Sequence, residues 1–323
     1  MECNIVPMSR ETLTYIVFGI VLTAALVFDL GLISKKNKTV TLKRAFVQTI
    51  FWVLLAFGFF IFLWFENGSR TALEYLSAYL MEWSLSIDNI FVFILIFTSF
   101  AVNEKYYSRV LLIGILMAIV LRVIFITVGV ALVERAEWIL YIFGVFLVYT
   151  GIHMFRSKED EAFDPETSKA YKAVKRIFPL VSNDGNGKLW LKENGKRVYT
   201  TLFVVVMMLA SIDIVFAVDS IPAVMGISRD KMVIYTSNIF AVLGLRSLFF
   251  LLKGAVAKFD YLHEGIAIVL VFIGLKMLGA HWLEKWFDAN TLIFISLGMI
   301  VLCITVSILL SIRKNNLQRQ KAV

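Results

Sequence analysis

Cysteine and histidine are nearly missing from this chain, and charge is scarce. The two cysteines, Cys3 and Cys303, lie 300 positions apart and form no CxxC or metal-ligand spacing, which argues against a disulfide framework and a thiolate zinc site. The three histidines, His153, His263 and His281, fall near the ends of apolar runs, where an isolated histidine reads as an interfacial residue. Histidines and cysteines together give no axial-ligand pair, so a redox or electron-transfer role finds no support in the residues. Only 17% of the chain is charged, against about 25% in soluble domains.

The missing charge is replaced by apolar residues. Hydrophobic side chains make up 59% of the 323 residues, and the mean hydropathy is +0.81. Soluble domains sit near about 45–50% apolar, so the excess must be covered by lipid. The expectation is an all-α polytopic membrane protein. A membrane helix needs about 20 mainly apolar residues, and nine stretches qualify: 12–33, 46–65, 71–101, 110–132, 138–155, 200–221, 232–252, 262–280 and 290–311. The third is too long for one straight crossing, which predicts an interfacial start near Glu74 and Tyr75 or a break near Asp88.

Net charge is +8, but a nucleic-acid partner does not follow from it. Lysine and arginine follow the orientation rule for membrane loops instead. One set of connections holds twenty-three basic residues, the other only Arg10, Arg70, Arg135, Arg229, Lys231 and Lys285. This places the N-terminus outside and the C-terminus inside. The first apolar run lacks an A-x-A-like cleavage site and precedes its basic cluster, so it is expected to stay as a helix. Asp29, at its inner end, reads as an interfacial charge. Residues 156–199 form the one sizeable polar piece, a cytoplasmic loop in which Lys188–Lys192, Glu193-Asn194-Gly195 and Lys196–Thr200 predict a small hairpin. A lone hairpin is marginal, so it should rest on the membrane domain.

Two apolar segments carry aspartates in nearly the same words: Ser86-Ile87-Asp88-Asn89-Ile90 and Ser211-Ile212-Asp213-Ile214-Val215. A carboxylate at bilayer depth costs about 2.5–3.5 kcal/mol even on a lenient scale. The likeness continues through Arg122 and Arg246, then Gly151 and Gly274, at offsets of 125, 124 and 123. By the charge rule the two copies run in opposite directions. They define two inverted three-helix repeats, 71–155 and 200–280, the architecture of many secondary transporters.

Glu82, Asp88, Asp213 and Asp219, with Asn89, Asn238, Ser86 and Ser220, supply only oxygen-type donors. Such a set suits Mg²⁺, Ca²⁺ or Mn²⁺ rather than Cu⁺ or Zn²⁺. Glu82, Ser86 and Asn89 share one helical face, as do Asp213 and Ser220, but six-residue spacings put each acid pair about 120° apart. Convergence of all four acids therefore predicts a bend or unwinding. Pro222 cannot bond to the Val218 carbonyl and frees it as one further oxygen. Arg122 and Arg246 have two readings, charge compensation of the empty site or static pairing that fixes helix registration.

The run Glu82-Trp83-Ser84-Leu85-Ser86-Ile87-Asp88-Asn89, the run Asp213 to Ala223 containing Asp219-Ser220-Ile221-Pro222, and the stretch Thr236-Ser237-Asn238 to Arg246 resemble the TerC/Alx family, related to LysE-type exporters. The resemblance covers nearly the whole chain. It implies an inner-membrane protein of bacteria, associated with Mn²⁺ efflux, tellurium resistance and alkaline-pH responses, with Glu82, Asp88, Asn89, Asp213 and Asp219 as the metal site. An older label for Alx-like members is redox modulator. Many members place a Glu where this chain has Ala210. The expectation is thus a divalent-cation exporter, with Mn²⁺ as cargo and no resident cofactor. The alternatives are a membrane partner in metal delivery or stress response, without transport of its own, and an intramembrane aspartyl protease. The protease would need a Gly-x-Gly-Asp run, which is absent.

Overall fold

Among the described residues nine long helices follow the nine apolar runs, with ends shifted by a few residues except that the last runs ten residues further, to Lys321. The structure, a computed structural model, describes residues 10–33, 40–136, 138–156, 169–181, 185–193, 196–253 and 261–321. The long helices are α1 (Arg10–Ile33), α2 (Leu42–Glu66), α3 (Ser69–Ser99), α4 (Tyr107–Arg135), α5 (Ile139–Arg156), α7 (Thr201–Met225), α8 (Lys231–Leu252), α9 (Leu262–Leu278) and α11 (Ala289–Lys321). Two short helices, α6 (Lys169–Ile177) and α10 (Ala280–Trp286), complete the set. Among the described residues, six helices are long and apolar enough on their own to cross a membrane.

Helix ends follow capping chemistry. Thr41 accepts from the Arg44 amide at the start of α2, and Asp230 accepts from Met232 at the start of α8, each holding an amide that the helix leaves unbonded. Gly68, at φ 92°, makes the tight turn between α2 and α3.

Two expectations fail here. No break appears near Asp88: α3 is helical from Ser69 to Ser99. Nor does α7 unwind at Pro222, which lies inside the helix one turn from its end. A proline so near the C-terminus forfeits one bond, and Gly226 still donates to the Pro222 carbonyl at 2.9 Å. The long α3 is tolerated because most of it packs on protein, including α8, α7, α2 and α11.

Packing is crossed between the two halves. Helix α3 packs on α8, α4 on α7, and α5 on α9. The α5–α9 pair is held close by small residues, as membrane helix contacts commonly are. A methyl built on Gly151 would lie 2.7 Å from the Ala267 carbonyl oxygen, and one on Gly274 2.7 Å from that of Gly144. An offset of 123 maps Gly151 onto Gly274 and Gly144 onto Ala267, so these two contacts are images of each other. Helix α8 is the innermost, with nearly all its side chains buried. The outer helices show apolar stripes; on α4 these are Val120, Ile124, Val128 and Leu132.

The expected hairpin is present. Strands β1 (Trp190–Glu193) and β2 (Lys196–Tyr199) pair antiparallel, with Lys192 opposite Arg197; the Asn194-Gly195 turn lies outside the described residues. Thr200 donates to the Leu189 and Lys188 carbonyls, and the rings of Phe178, Tyr199 and Phe203 pack edge-on or tilted with centroids 4.4–5.1 Å apart. Arg109 of α4 donates to the Gly187 carbonyl at 2.7 Å. The hairpin therefore caps the starts of α4 and α7.

Candidate metal centre

The charged site is built around one side chain. Arg122, on α4, is 1% exposed, and its guanidinium reaches three other helices. Nε and Nη2 donate to the two oxygens of Asp213 on α7, at 3.2 and 3.1 Å. Nη1 donates to Glu82 Oε2 on α3 at 2.6 Å and to Asn238 Oδ1 on α8 at 3.0 Å. Four of the five guanidinium N–H groups are thus placed. The grip on Asp213 is the bidentate fork that arginine makes with a carboxylate.

Each half of the chain supplies one acid and one further group. Residues 71–155 give Glu82 and Arg122; residues 200–280 give Asp213 and Asn238. Asn238 is aimed by its own helix, since its Nδ2 donates to the Ile234 carbonyl at 3.1 Å and leaves Oδ1 for Arg122. Two carboxylates and one guanidinium leave a formal charge of −1, deep in protein where bare charge is costly.

Oxygens are also left over. Glu82 Oε1, Ser86 Oγ and Ser220 Oγ are buried without a hydrogen-bond partner among the described residues, as is Asn89 Nδ2. A buried polar group in that condition costs about 1–3 kcal/mol. These are the faces expected from spacing: Glu82, Ser86 and Asn89 are all buried on α3, and Asp213 and Ser220 on α7.

Of the expected residues, the structure brings Glu82, Arg122, Asp213 and Asn238 together. It buries Ser86, Asn89, Ser220 and Arg246 on the same four helices. Val218, whose backbone carbonyl is the oxygen expected at the site, turns its side chain outward on α7, 45% exposed and beside Val215 at 61%. The side chains of Asp88, Asp219 and Asp29 lie outside the described residues. Among the described residues no three Asp, Glu, His or Cys side chains form one metal-holding group. Ala210 is buried on α7.

The two ends of the bundle differ. Toward the capped starts of α4 and α7, Asp213 meets a gap of about 10 Å³, walled by Phe93, Leu111, Gly114, Ala118, Leu209 and Leu245. Toward the other end lies a cavity of about 670 Å³ whose walls include Arg70, Glu74, Ser228, Asp230 and Lys276. Glu74 accepts from Arg70 Nε at 3.1 Å and from Ser228 Oγ, and Lys276 donates to Ser296 Oγ at 2.9 Å. Glu74 precedes Glu82 by eight residues, about 12 Å along a helix. Reading the sequence missed this chamber. Its signal was Lys276, a cation inside an apolar run.

Comparison with known proteins bears out the family that the motifs resemble. The family described as "Integral membrane protein TerC family" matches residues 67–319. An "Uncharacterized membrane protein STKORF319" of Myxococcus xanthus is 43% identical over 256 residues, 79% of each chain. An "Uncharacterized membrane protein" of Rickettsia felis is 38% identical over 94% of this chain and 99% of its own. A protein of Escherichia coli O6:H1 named "Putative membrane-bound redox modulator Alx" is 38% identical over 81% of this chain and 84% of its own. No solved structure matches at a significant level.

Proposed function

The chain belongs to the TerC family of integral membrane proteins, and from that footing we propose that it exports a hard divalent cation, Mn²⁺ foremost, across the bacterial cytoplasmic membrane. The observation that carries this reading is the Arg122 cluster: a buried guanidinium bound by acids from both halves, with unpartnered oxygens on the same two helices.

Arg122 acts here as a built-in cation. An ion of charge +2 that enters needs the oxygens of Glu82 and Asp213, which Arg122 holds. Binding therefore displaces the guanidinium, and release restores it. This exchange avoids leaving two buried carboxylates bare and repelling one another. The crossed helix pairing and the paired α5–α9 contacts support two related repeats, 71–155 and 200–280; their inversion, nine crossings and a cytoplasmic side for the hairpin cap rest on the apolar runs and the charge rule. In that orientation the 670 Å³ chamber faces outward and the apolar plug faces the cytoplasm.

The test is manganese accumulation in cells and ion flux in proteoliposomes, screened across Mn²⁺, Ca²⁺, Mg²⁺, Fe²⁺ and Zn²⁺. Asp88→Asn and Asp213→Asn should each abolish flux at unchanged protein level; full manganese resistance in both would end the proposal. The name of the Alx relatives favours a second reading, redox modulation. Cys303, a free thiol on α11 with its Sγ 3.6 Å from Met299 Sδ, is the one described cysteine. Cys303→Ser leaves flux unchanged if transport is the function and removes activity if redox is.

A further inference from the structure

A second cavity, of about 480 Å³, opens between the hairpin cap and the start of α4. Its walls are Arg109, Lys188, Leu189, Trp190, Leu191 and Lys192. Three are cations and three are apolar; no acid is present among the described lining residues. The Arg109 guanidinium is fixed at the rim by its 2.7 Å bond to the Gly187 carbonyl. Trp190 is 45% exposed, and Arg197 lies 4.9 Å from its ring.

The helix register tells which way this cavity opens. Arg109 precedes Val120 by eleven residues, three turns and about 20° on a helix. It therefore continues the exposed stripe of Val120, Ile124 and Val128, the face that a membrane-spanning helix turns to lipid. A cavity at the end of that stripe sits at headgroup depth, where exposed tryptophan and basic side chains belong. Leucine and tryptophan walls suit the glycerol and upper acyl region, which a free phosphate lacks.

We infer that this cavity binds the phosphate headgroup of an anionic phospholipid, held by Arg109, Lys188 and Lys192, with Leu189, Trp190 and Leu191 against its apolar part. Basic pockets on the cytoplasmic side of membrane proteins take anionic headgroups by the same chemistry. The inference rests on the membrane reading of the chain and is independent of which ion crosses it. A lipid seated here would tie the cap to α4 at the point where the cap also holds α7.

Native mass spectrometry of the full-length protein in detergent, titrated with phosphatidylglycerol, tests this. The unaltered protein should retain one tightly bound phosphatidylglycerol and prefer it to phosphatidylcholine. Lys188→Gln with Lys192→Gln, both at exposed side chains, should weaken that adduct by roughly twenty-five-fold, since each basic residue near an anionic surface contributes roughly a factor of five. Lys172→Gln with Lys175→Gln, exposed on α6 outside the cavity, should leave it unchanged. Equal loss in both double variants, no loss in the first, or competition by inorganic phosphate at the same affinity would each overturn the lipid site. Cation flux is a separate readout: loss of flux in the Asp213 variant with the lipid adduct intact bears on transport alone.

Discussion

The two ends of the bundle start from the same site and meet opposite surroundings. On one side Asp213 faces leucine, phenylalanine and alanine around a gap of about 10 Å³, too small for more than a single water. On the other, a chamber of about 670 Å³ holds Glu74, Arg70, Ser228 and Lys276. Both regions contain an arginine–glutamate pair, yet the pairs do different work. Arg70 is 63% exposed and bonds an acid one turn away on its own helix. Arg122 and Glu82 are 1% and 0% exposed and join separate helices. The first pair is solvated and adjustable. The second is sealed, so anything that replaces it must bring charge of its own. The difference is between a filled, apolar end beside the starts of α4 and α7 and a hollow, polar end around Glu74.

The largest effect should come from breaking the sealed pair. Arg122→Met leaves Glu82 and Asp213 buried without a counter-charge, a change worth about 3–5 kcal/mol. Thermal unfolding in detergent should show the loss, and added Mn²⁺ should restore part of it. Arg122→Lys keeps the charge but loses the fork, so its loss should be smaller.

The plug comes next. Leu209→Ala opens the 10 Å³ gap beside Asp213 and should destabilise by about 2–5 kcal/mol, as buried leucine truncations do. A thiol reagent applied from the capped side should then reach a cysteine placed at Ala118, which lines the gap and is buried in the intact protein. If Leu209→Ala unfolds with the unaltered protein and protects that cysteine equally, the capped end is not sealed by apolar packing.

Neutralising the acids should cost less stability and more function. Glu82→Gln and Asp213→Asn each leave Arg122 one acid, a loss of about 1–3 kcal/mol, while ion flux in proteoliposomes disappears. The two should behave alike, because both hold the same guanidinium. The smallest effect belongs to the open end: Arg70→Ala removes a half-solvated pair worth about 0.2–1 kcal/mol, visible only as a slight change in melting temperature.

Much of this was legible in the sequence. Apolar runs marked the nine long helices among the described residues, because a membrane helix needs some twenty mainly apolar residues; six of the nine are long and apolar enough on their own to cross a membrane. Periodicity placed Glu82, Ser86 and Asn89 on one buried face, and Asn-Gly between short alternating strands marked the hairpin. The expected breaks in α3 and α7 did not appear. Convergence was reasoned from the acids alone, as though helices must bend to bring carboxylates together. For Glu82 and Asp213 Arg122 supplies the reach instead: its side chain spans from α4 to three neighbours, so unbroken helices suffice to join these two acids. Whether Arg122 compensates charge or fixes registration was open in the sequence, since the choice depends on which acids face it. Holding one acid from each half does both. The large chamber was not legible because Arg70, Glu74, Ser228 and Lys276 come from three distant stretches that only the folded chain brings together.

The central claim is that the transported cation and Arg122 compete for the same carboxylates. Equilibrium Mn²⁺ binding to the purified protein, read from the loss of the free-ion electron paramagnetic resonance signal, tests it most directly. The account predicts tighter binding in Arg122→Met than in the unaltered protein, and no binding when Glu82→Gln and Asp213→Asn are combined. Unchanged Mn²⁺ affinity in that double variant would contradict it.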